Sequence, residues 1–355
     1  MSQHTPWMIY GANGYTGEKI AREAVALGLR PTLAGRTLAK IVPLANELGL
    51  PSLAFDLTDP AVLAAQLQGM KLVLLTAGPF SATSANVVEA CLATGAHYLD
   101  ITGEIDVFEH AFAQSARAKA AGVALCPGVG FDVIPTDCVA ATLKAALPDA
   151  TALSLAFHTA SGISPGTLKT MVETVAQGGK VRRNGVLVSE PNAAVVRKID
   201  FGEGGRHMGM SAPWGDVSTA FHSTGIPNVR AYLPTSGAQV LGAKAMGWLS
   251  PLLRRPATQA WLFRQVERRV KGPSEQQMAR TPTHVWGEVV NAAGERRTAR
   301  VVTDNGYRLT VTGSLTVVQH LLANTVDGGT YTPYMLMGAD FVSRLPRCGP
   351  IVVTP

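Results

Sequence analysis

The stretch that decides the fold is Trp7-Met8-Ile9-Tyr10-Gly11-Ala12-Asn13-Gly14-Tyr15-Thr16-Gly17. Four apolar residues suited to a buried strand run into a G-x-x-G-x-x-G loop. Ile20, Ala21, Ala24 and Val25 then follow at helical spacing. Chemistry accounts for the positions of the glycines. Gly11 can turn tightly out of a strand, Gly14 lets the backbone approach a pyrophosphate, and Gly17 allows helix and strand to pack closely. The open amides of the helix start, with its dipole, attract the anion. A glycine triplet alone is a weak signal, and a plain glycine-rich turn is the bland alternative. The strand before it and the helix after it favour a dinucleotide loop, with Gly11, Asn13, Gly14, Tyr15, Thr16 and Gly17 around the phosphates.

Further apolar runs at Thr32–Ala34, Leu53–Phe55, Leu72–Thr76, Tyr98–Ile101 and Val123–Cys126 alternate with helical patterns such as Val87, Val88, Cys91 and Leu92. That alternation implies βαβ units in a doubly wound parallel sheet, whose ligands sit beyond the carboxyl ends of the strands. After about residue 130 the pattern changes. A helix is expected from Ile134 to before Pro148, and further helices over Thr167–Gln177 and Leu309–Ala323. Strands are expected at Ala152–His158, Val195–Phe201, Val229–Leu233, His284–Asn291 and Arg297–Thr303, the last two joined by a short turn at Gly294. Thr332-Pro333 suits the opening of a last helix. The expected class is α/β: a Rossmann-type doubly wound parallel sheet plus a second α+β domain with a largely antiparallel sheet. The expected domains are residues 1–130 and 131–330, with a segment 331–355 packing back on the first.

The 355 residues are 46% hydrophobic and 16% charged, enough for about two domains with large cores, and this excludes disorder or a disulfide-stapled miniprotein. The four cysteines contain no C-x-x-C pair, and the eight histidines show no ligand-like spacing, so no metal site is expected. The formal charge of +6 suits an anionic ligand and reads as too weak and too dispersed for nucleic acid. No stretch approaches the roughly 18 apolar residues of a spanning helix. The first strand leaves no room for a leader peptide. A cytoplasmic protein is expected.

Nicotinamide enzymes that use NAD place Asp or Glu after the second strand to hold the ribose hydroxyls. Here the segment reads Leu33-Ala34-Gly35-Arg36-Thr37. No carboxylate repels a 2′-phosphate, and the Arg36 guanidinium can bind one, so NADP is expected over NAD. Asp56 after the third run is placed for the adenine edge or for a helix cap, a task for which Asp59 before Pro60 is better suited. Ala77, Gly78 and Pro79 end the fourth run and let a cofactor cross close to the backbone.

Other redox constellations fail. The one Tyr-x-x-x-Lys, Tyr15 to Lys19, lies inside the phosphate loop, and Cys126 has no local context to activate it as a nucleophile. Polar residues gather at two further strand ends, His97-Tyr98-Leu99-Asp100-Ile101-Thr102-Gly103-Glu104 and Pro127-Gly128-Val129-Gly130-Phe131-Asp132. Asp100, Asp132 and Tyr98 are the catalytic candidates. Against those roles, Asp132 suits an N-cap, Tyr98 a core position, and Glu104 either a cap or a site.

Gly-Ala-Asn-Gly-Tyr-Thr-Gly, Ala-Gly-Arg, Ala-Gly-Pro-Phe, Tyr-Leu-Asp-Ile-Thr-Gly-Glu and Gly-Phe-Asp-Val-Ile-Pro-Thr-Asp together resemble the saccharopine dehydrogenase-like oxidoreductases. Ser164-Pro165-Gly166-Thr167, Pro213-Trp214-Gly215-Asp216 and Thr332-Pro333 resemble landmarks further along that family, although Ser-Gly-Gly-Thr is the commoner form of the first. The resemblance implies NAD(P)-linked redox chemistry on a small-molecule substrate, acyl-chain or imine, entering between the domains. It also implies a second domain used for homodimer contacts.

Between Lys244 and Lys271, Arg254, Arg255, Arg264, Arg268 and Arg269 face a single acid, Glu267, with Trp248, Leu249, Trp261, Leu262 and Phe263 interleaved. A surface helix pair is the bland expectation; a lid over a hydrophobic substrate and peripheral membrane contact are the others. With that segment and no evident general acid, a catalytically silent NADP-binding regulator is the alternative function.

Overall fold

The computed structural model describes residues 5–168, 171, 178–248 and 255–355. The chain divides into two units, residues 1–131 with 307–336 and residues 132–306 with 337–355.

In the first unit β1 (Trp7–Tyr10), β2 (Thr32–Gly35), β3 (Ser52–Ala54), β4 (Leu72–Leu75), β5 (His97–Asp100) and β6 (Ala124–Cys126) form one parallel sheet. The order is β6-β5-β4-β1-β2-β3, with the strand Gly329–Thr330 outside β6. The unbroken apolar run of β4 is covered on both faces, as a parallel sheet requires. Helices α1 (Tyr15–Ala26), α2 (Leu38–Leu48), α3 (Pro60–Leu67), α4 (Ser84–Thr94), α5 (Ile105–Ala113) and α6 (Ser115–Ala121) make the crossovers. The strand order reverses between β1 and β4, so the crevice at their carboxyl ends is the place for a ligand.

Two expected boundaries move. Residues 307–336 join the first unit instead of a domain ending at 330. Leu309, Leu315, Val318 and Leu321 of the helix Gly306–Ala323 are fully buried, and the Thr310 hydroxyl accepts from the Phe131 N–H at 3.0 Å. Gly329–Thr330 extends the parallel sheet by pairing with Ala124 and Leu125. Conversely, residues 337–355 belong to the second unit. Val352–Thr354 pairs antiparallel with Arg296–Thr303 in the second sheet, giving that strand the partner its free edge lacks.

The second unit carries α7 (Ile134–Ala146) against a mixed sheet. Its strands run in the order Val196–Asp200, Arg206–Ala212, Asn228–Thr235, Ala150–Thr159, Thr283–Asn291, Arg296–Thr303 and Val352–Thr354. Every pair is antiparallel except Asn228–Thr235 with Ala150–Thr159. The close approach of α7 is made at Gly287, where a Cβ would stand 2.6 Å from Val139 and 2.8 Å from Leu143. A hairpin of Gly179–Arg183 and Val186–Glu190, which no local pattern announced, pairs with Asn228–Thr235. The expected helix Thr167–Gln177 lies mostly outside the described residues. Among the described residues no helix is long and apolar enough to cross a membrane.

Candidate dinucleotide site

Gly11 leaves β1 at φ +90°, a backbone conformation that side chains disfavour, and its N–H donates to the Ala34 carbonyl at 2.8 Å. A Cβ on Gly11 would lie 2.8 Å from the Ala77 amide, and one on Gly17 only 2.4 Å from the Gly11 carbonyl and 2.7 Å from the Thr76 hydroxyl. The loop is thus folded back against the end of β4, with Thr76 beneath it donating its hydroxyl to the Tyr10 carbonyl at 2.9 Å. No side chain caps the start of α1. Its N-cap is Gly14, where a Cβ would meet the Gly11 carbonyl alone, at 3.2 Å. Asp59, by contrast, caps α3 by accepting from Ala61 and Val62. An uncapped first turn behind a glycine cradle leaves backbone donors for an anion, so the residues present fit a pyrophosphate.

Asn13 is exposed, Tyr15 and Thr16 half-buried, and Gly17 buried. The Tyr15 ring meets Tyr307 edge-on at 5.4 Å, with the Lys19 ammonium 5.0 Å from its centroid. Sequence reading missed Tyr307, which lies far along the chain. Arg36 is exposed at the end of β2, and its charge acts on Asp56 and on the Tyr10 phenol. Asp56 closes a turn by accepting from the Thr58 hydroxyl and N–H, each at 2.8 Å. Those bonds, then the Arg36 charge, hold its carboxyl below the usual range. Burial lifts the Tyr10 phenol, which donates to the Phe55 carbonyl at 2.7 Å, to about 12. A groove beside the loop is lined by Asn13, Lys40, Pro43 and Leu44 and by Arg22 paired with Glu18 and Glu47.

At the end of β4, Ala77 and Pro79 are half-buried and Gly78 is exposed. Two side chains fix this turn. The Thr83 hydroxyl donates to the carbonyls of Ala77 at 2.9 Å and Pro79 at 3.2 Å. The Glu104 carboxylate accepts from the N–H groups of Phe80 at 2.9 Å and Ser81 at 2.7 Å. Glu104 is therefore a strap on the turn. It stands at the N-cap of α5, but its side chain makes no cap bond there.

Asp100 and Tyr98 are fully buried. Asp100 Oδ1 accepts from the N–H groups of Gly128 at 2.7 Å and Thr102 at 3.0 Å, and Oδ2 from the Tyr98 hydroxyl at 2.5 Å. Burial, only partly offset by these bonds, lifts the carboxyl to about 6. With both oxygens engaged, Asp100 ties the ends of β5 and β6 together. Asp132 belongs to the second unit. It does not cap α7, whose N-cap is Val133. The residue is half-buried, and desolvation lifts its carboxyl to about 7.

The second unit also holds a buried polar group that sequence reading left unassembled. The Thr136 hydroxyl donates to Asp216 at 2.5 Å, and the Ser223 hydroxyl donates to Asp137. Burial, then the neighbouring Asp137 and Asp132, pushes Asp216 up to about 8. Among the described residues no group of three His, Cys, Asp or Glu side chains is placed to hold a metal ion.

The parallel sheet, its switch point and the glycine cradle define a Rossmann dinucleotide-binding unit. Residues 7–126 match the family described as the saccharopine dehydrogenase NADP binding domain. A putative trans-acting enoyl reductase of Mycobacterium tuberculosis is 29% identical over 191 residues, 48% of this chain and 44% of that protein. A mouse saccharopine dehydrogenase-like oxidoreductase is 34% identical over 150 residues, 37% of this chain and 35% of that protein. The matches thus span less than half the length of these relatives. The fold is that of saccharopine dehydrogenase (L-Glu forming) from Saccharomyces cerevisiae, with a TM-score of 0.65 over 99% of both chains at 12% identity. It is also that of a Legionella pneumophila homospermidine synthase solved with NAD, with a TM-score of 0.64 over 99% of this chain and 91% of that one at 9% identity.

Proposed function

We propose that the chain is an NADP-dependent oxidoreductase that reduces a polarised C=C or C=N bond of an acyl-chain or other small substrate. The observation that carries this is the pairing of an uncapped helix start behind the Gly11–Gly17 cradle with Arg36, not an acid, at the end of β2. The enoyl reductase name of a relative favours the C=C bond.

Bound there, the cofactor supplies a hydride. The chain's own residues bind and orient. The α1 amides hold the diphosphate, Arg36 and Lys40 neutralise a 2′-phosphate, and Thr83 and Glu104 keep the Ala77–Pro79 turn in one shape. Asp100 stiffens the strand ends from below. Of the three acidic and phenolic candidates, Tyr98 and Asp100 are bonded to each other, and Asp132, whose proton is held near neutral pH, is the one we propose as proton donor.

Loss of NADPH absorbance with an enoyl thioester, or with a keto acid and an amine, tests the assignment. Turnover with one class is expected, falling above about pH 7 as Asp132 ionises. Asp132→Asn should lower kcat and remove that limb. NADPH binding with no turnover of either class would instead support the silent regulator. Homodimerisation through the second unit and a cytoplasmic location stand with this proposal as expectations.

A further inference from the structure

Seven of the chain's 31 lysines and arginines, but one of its 25 acids, fall between Lys244 and Lys271. Elsewhere the two signs balance at 24 each, so this stretch holds the whole formal excess of +6. The charge that composition suggested was dispersed is local.

The helix Pro256–Arg269 shows how it is presented. Val266 is buried, and Leu262, Phe263 and Val270 are partly covered, so they mark the inward side. Ala257, Ala260, Trp261, Arg264, Arg268 and Arg269 are exposed. Trp261, Arg264 and Arg268 recur at intervals of three and four, so an indole and two guanidinium groups share one outward stripe. Trp261 is 57% exposed. On the helix Gly237–Trp248, Leu241 stands 71% exposed, three residues before Lys244. A polyanion alone would reward the cations and gain little from the outward indole and leucine. A headgroup layer rewards both, because Trp is amphipathic and arginine pairs with phosphate in two-point geometry.

We propose that the outward face of the helix Pro256–Arg269 is a peripheral docking surface for an anionic lipid bilayer, with Trp261 entering the headgroup layer and Arg264, Arg268 and Arg269 paired with lipid phosphates. The contact is reversible and salt-sensitive, since it rests on surface charge and one aromatic anchor.

The test is co-sedimentation of the full chain with phosphatidylcholine vesicles, with and without phosphatidylglycerol. Binding is expected only with the anionic lipid, weakening as salt is added, with a blue shift of tryptophan emission that Trp261→Phe removes. Arg264→Gln, Arg268→Gln and Arg269→Gln should each lower binding about fivefold. An unchanged NADPH affinity shows that these variants are folded. Equal binding to both vesicle types overturns the proposal. So does anionic binding that survives all three arginine changes, tighter binding to duplex DNA, or concentration-dependent self-association that buries Trp261. The salt and lipid dependence of the unaltered chain decides the matter even if a variant fails to fold.

Discussion

The Tyr98 hydroxyl donates to Asp100 Oδ2 at 2.5 Å, with both side chains fully buried at the carboxyl end of β5. On a strand, residues two apart share a face, so the pair forms within one element. Asp100 Oδ1 then reaches Gly128 beyond β6. A carboxylate at the right strand end for catalysis is here spent on holding two strand ends together.

Tyr98→Phe tests that role. The change leaves a buried acceptor oxygen unpaired, at a cost of about 1–3 kcal/mol. It also removes the bond that opposes the burial shift, so the Asp100 carboxyl rises further above 6. Urea unfolding should show the lost stability, while NADPH affinity stays within about twofold because neither group reaches the surface. Unchanged stability would return Tyr98 and Asp100 to the list of reactive candidates.

Two glycines of one loop should fail differently. Gly17→Ala sets a Cβ against backbone at 2.4 Å, which cannot move aside, and should destabilise the first unit by about 1–3 kcal/mol. At Gly14 the nearest atom to a Cβ is 3.2 Å away, so Gly14→Val should fold and lose NADPH affinity at least tenfold. Paired melting and nucleotide titrations separate the outcomes; a Gly14→Val protein that binds NADPH normally would remove this amide from the phosphate site.

Asp216 gives a pH dependence with a definite sign. Its folded carboxyl titrates at about 8, above the ordinary 3.8, so the folded state binds the extra proton. The stability this supplies is fully present below about pH 4 and is lost as pH rises through about 8. Asp216→Asn removes the charge the burial opposes, and should flatten the decline between those limits and raise stability at pH 8–9 by about 1–3 kcal/mol. Urea midpoints across this range check it; a decline of unchanged slope would place the titrating group elsewhere.

Much of the first unit was legible because its signals are local. β1 and β4 lie within one residue of their apolar runs, and Gly11 and Gly17 occupy the positions their spacing implied. What was hidden is what depends on distant partners. No periodicity announces that Thr310 accepts from Phe131, 179 residues earlier, so the helix Gly306–Ala323 was placed in the wrong unit. Glu104 read as either a cap or a site from its neighbours in sequence, whereas its carboxylate serves Phe80 and Ser81 on another loop. For Tyr98 and Asp100 the signal was present in the alternation of β5, which places both on one face.

Calorimetric titration of the chain and of Arg36→Asp with NADPH and NADH tests the central claim most directly. One charge-assisted contact to the 2′-phosphate is worth about 1.5–3 kcal/mol, so the unaltered chain should prefer NADPH at least tenfold and the variant should lose or reverse that preference. Equal affinity for both nucleotides in the unaltered chain, or no heat with either, would contradict the account.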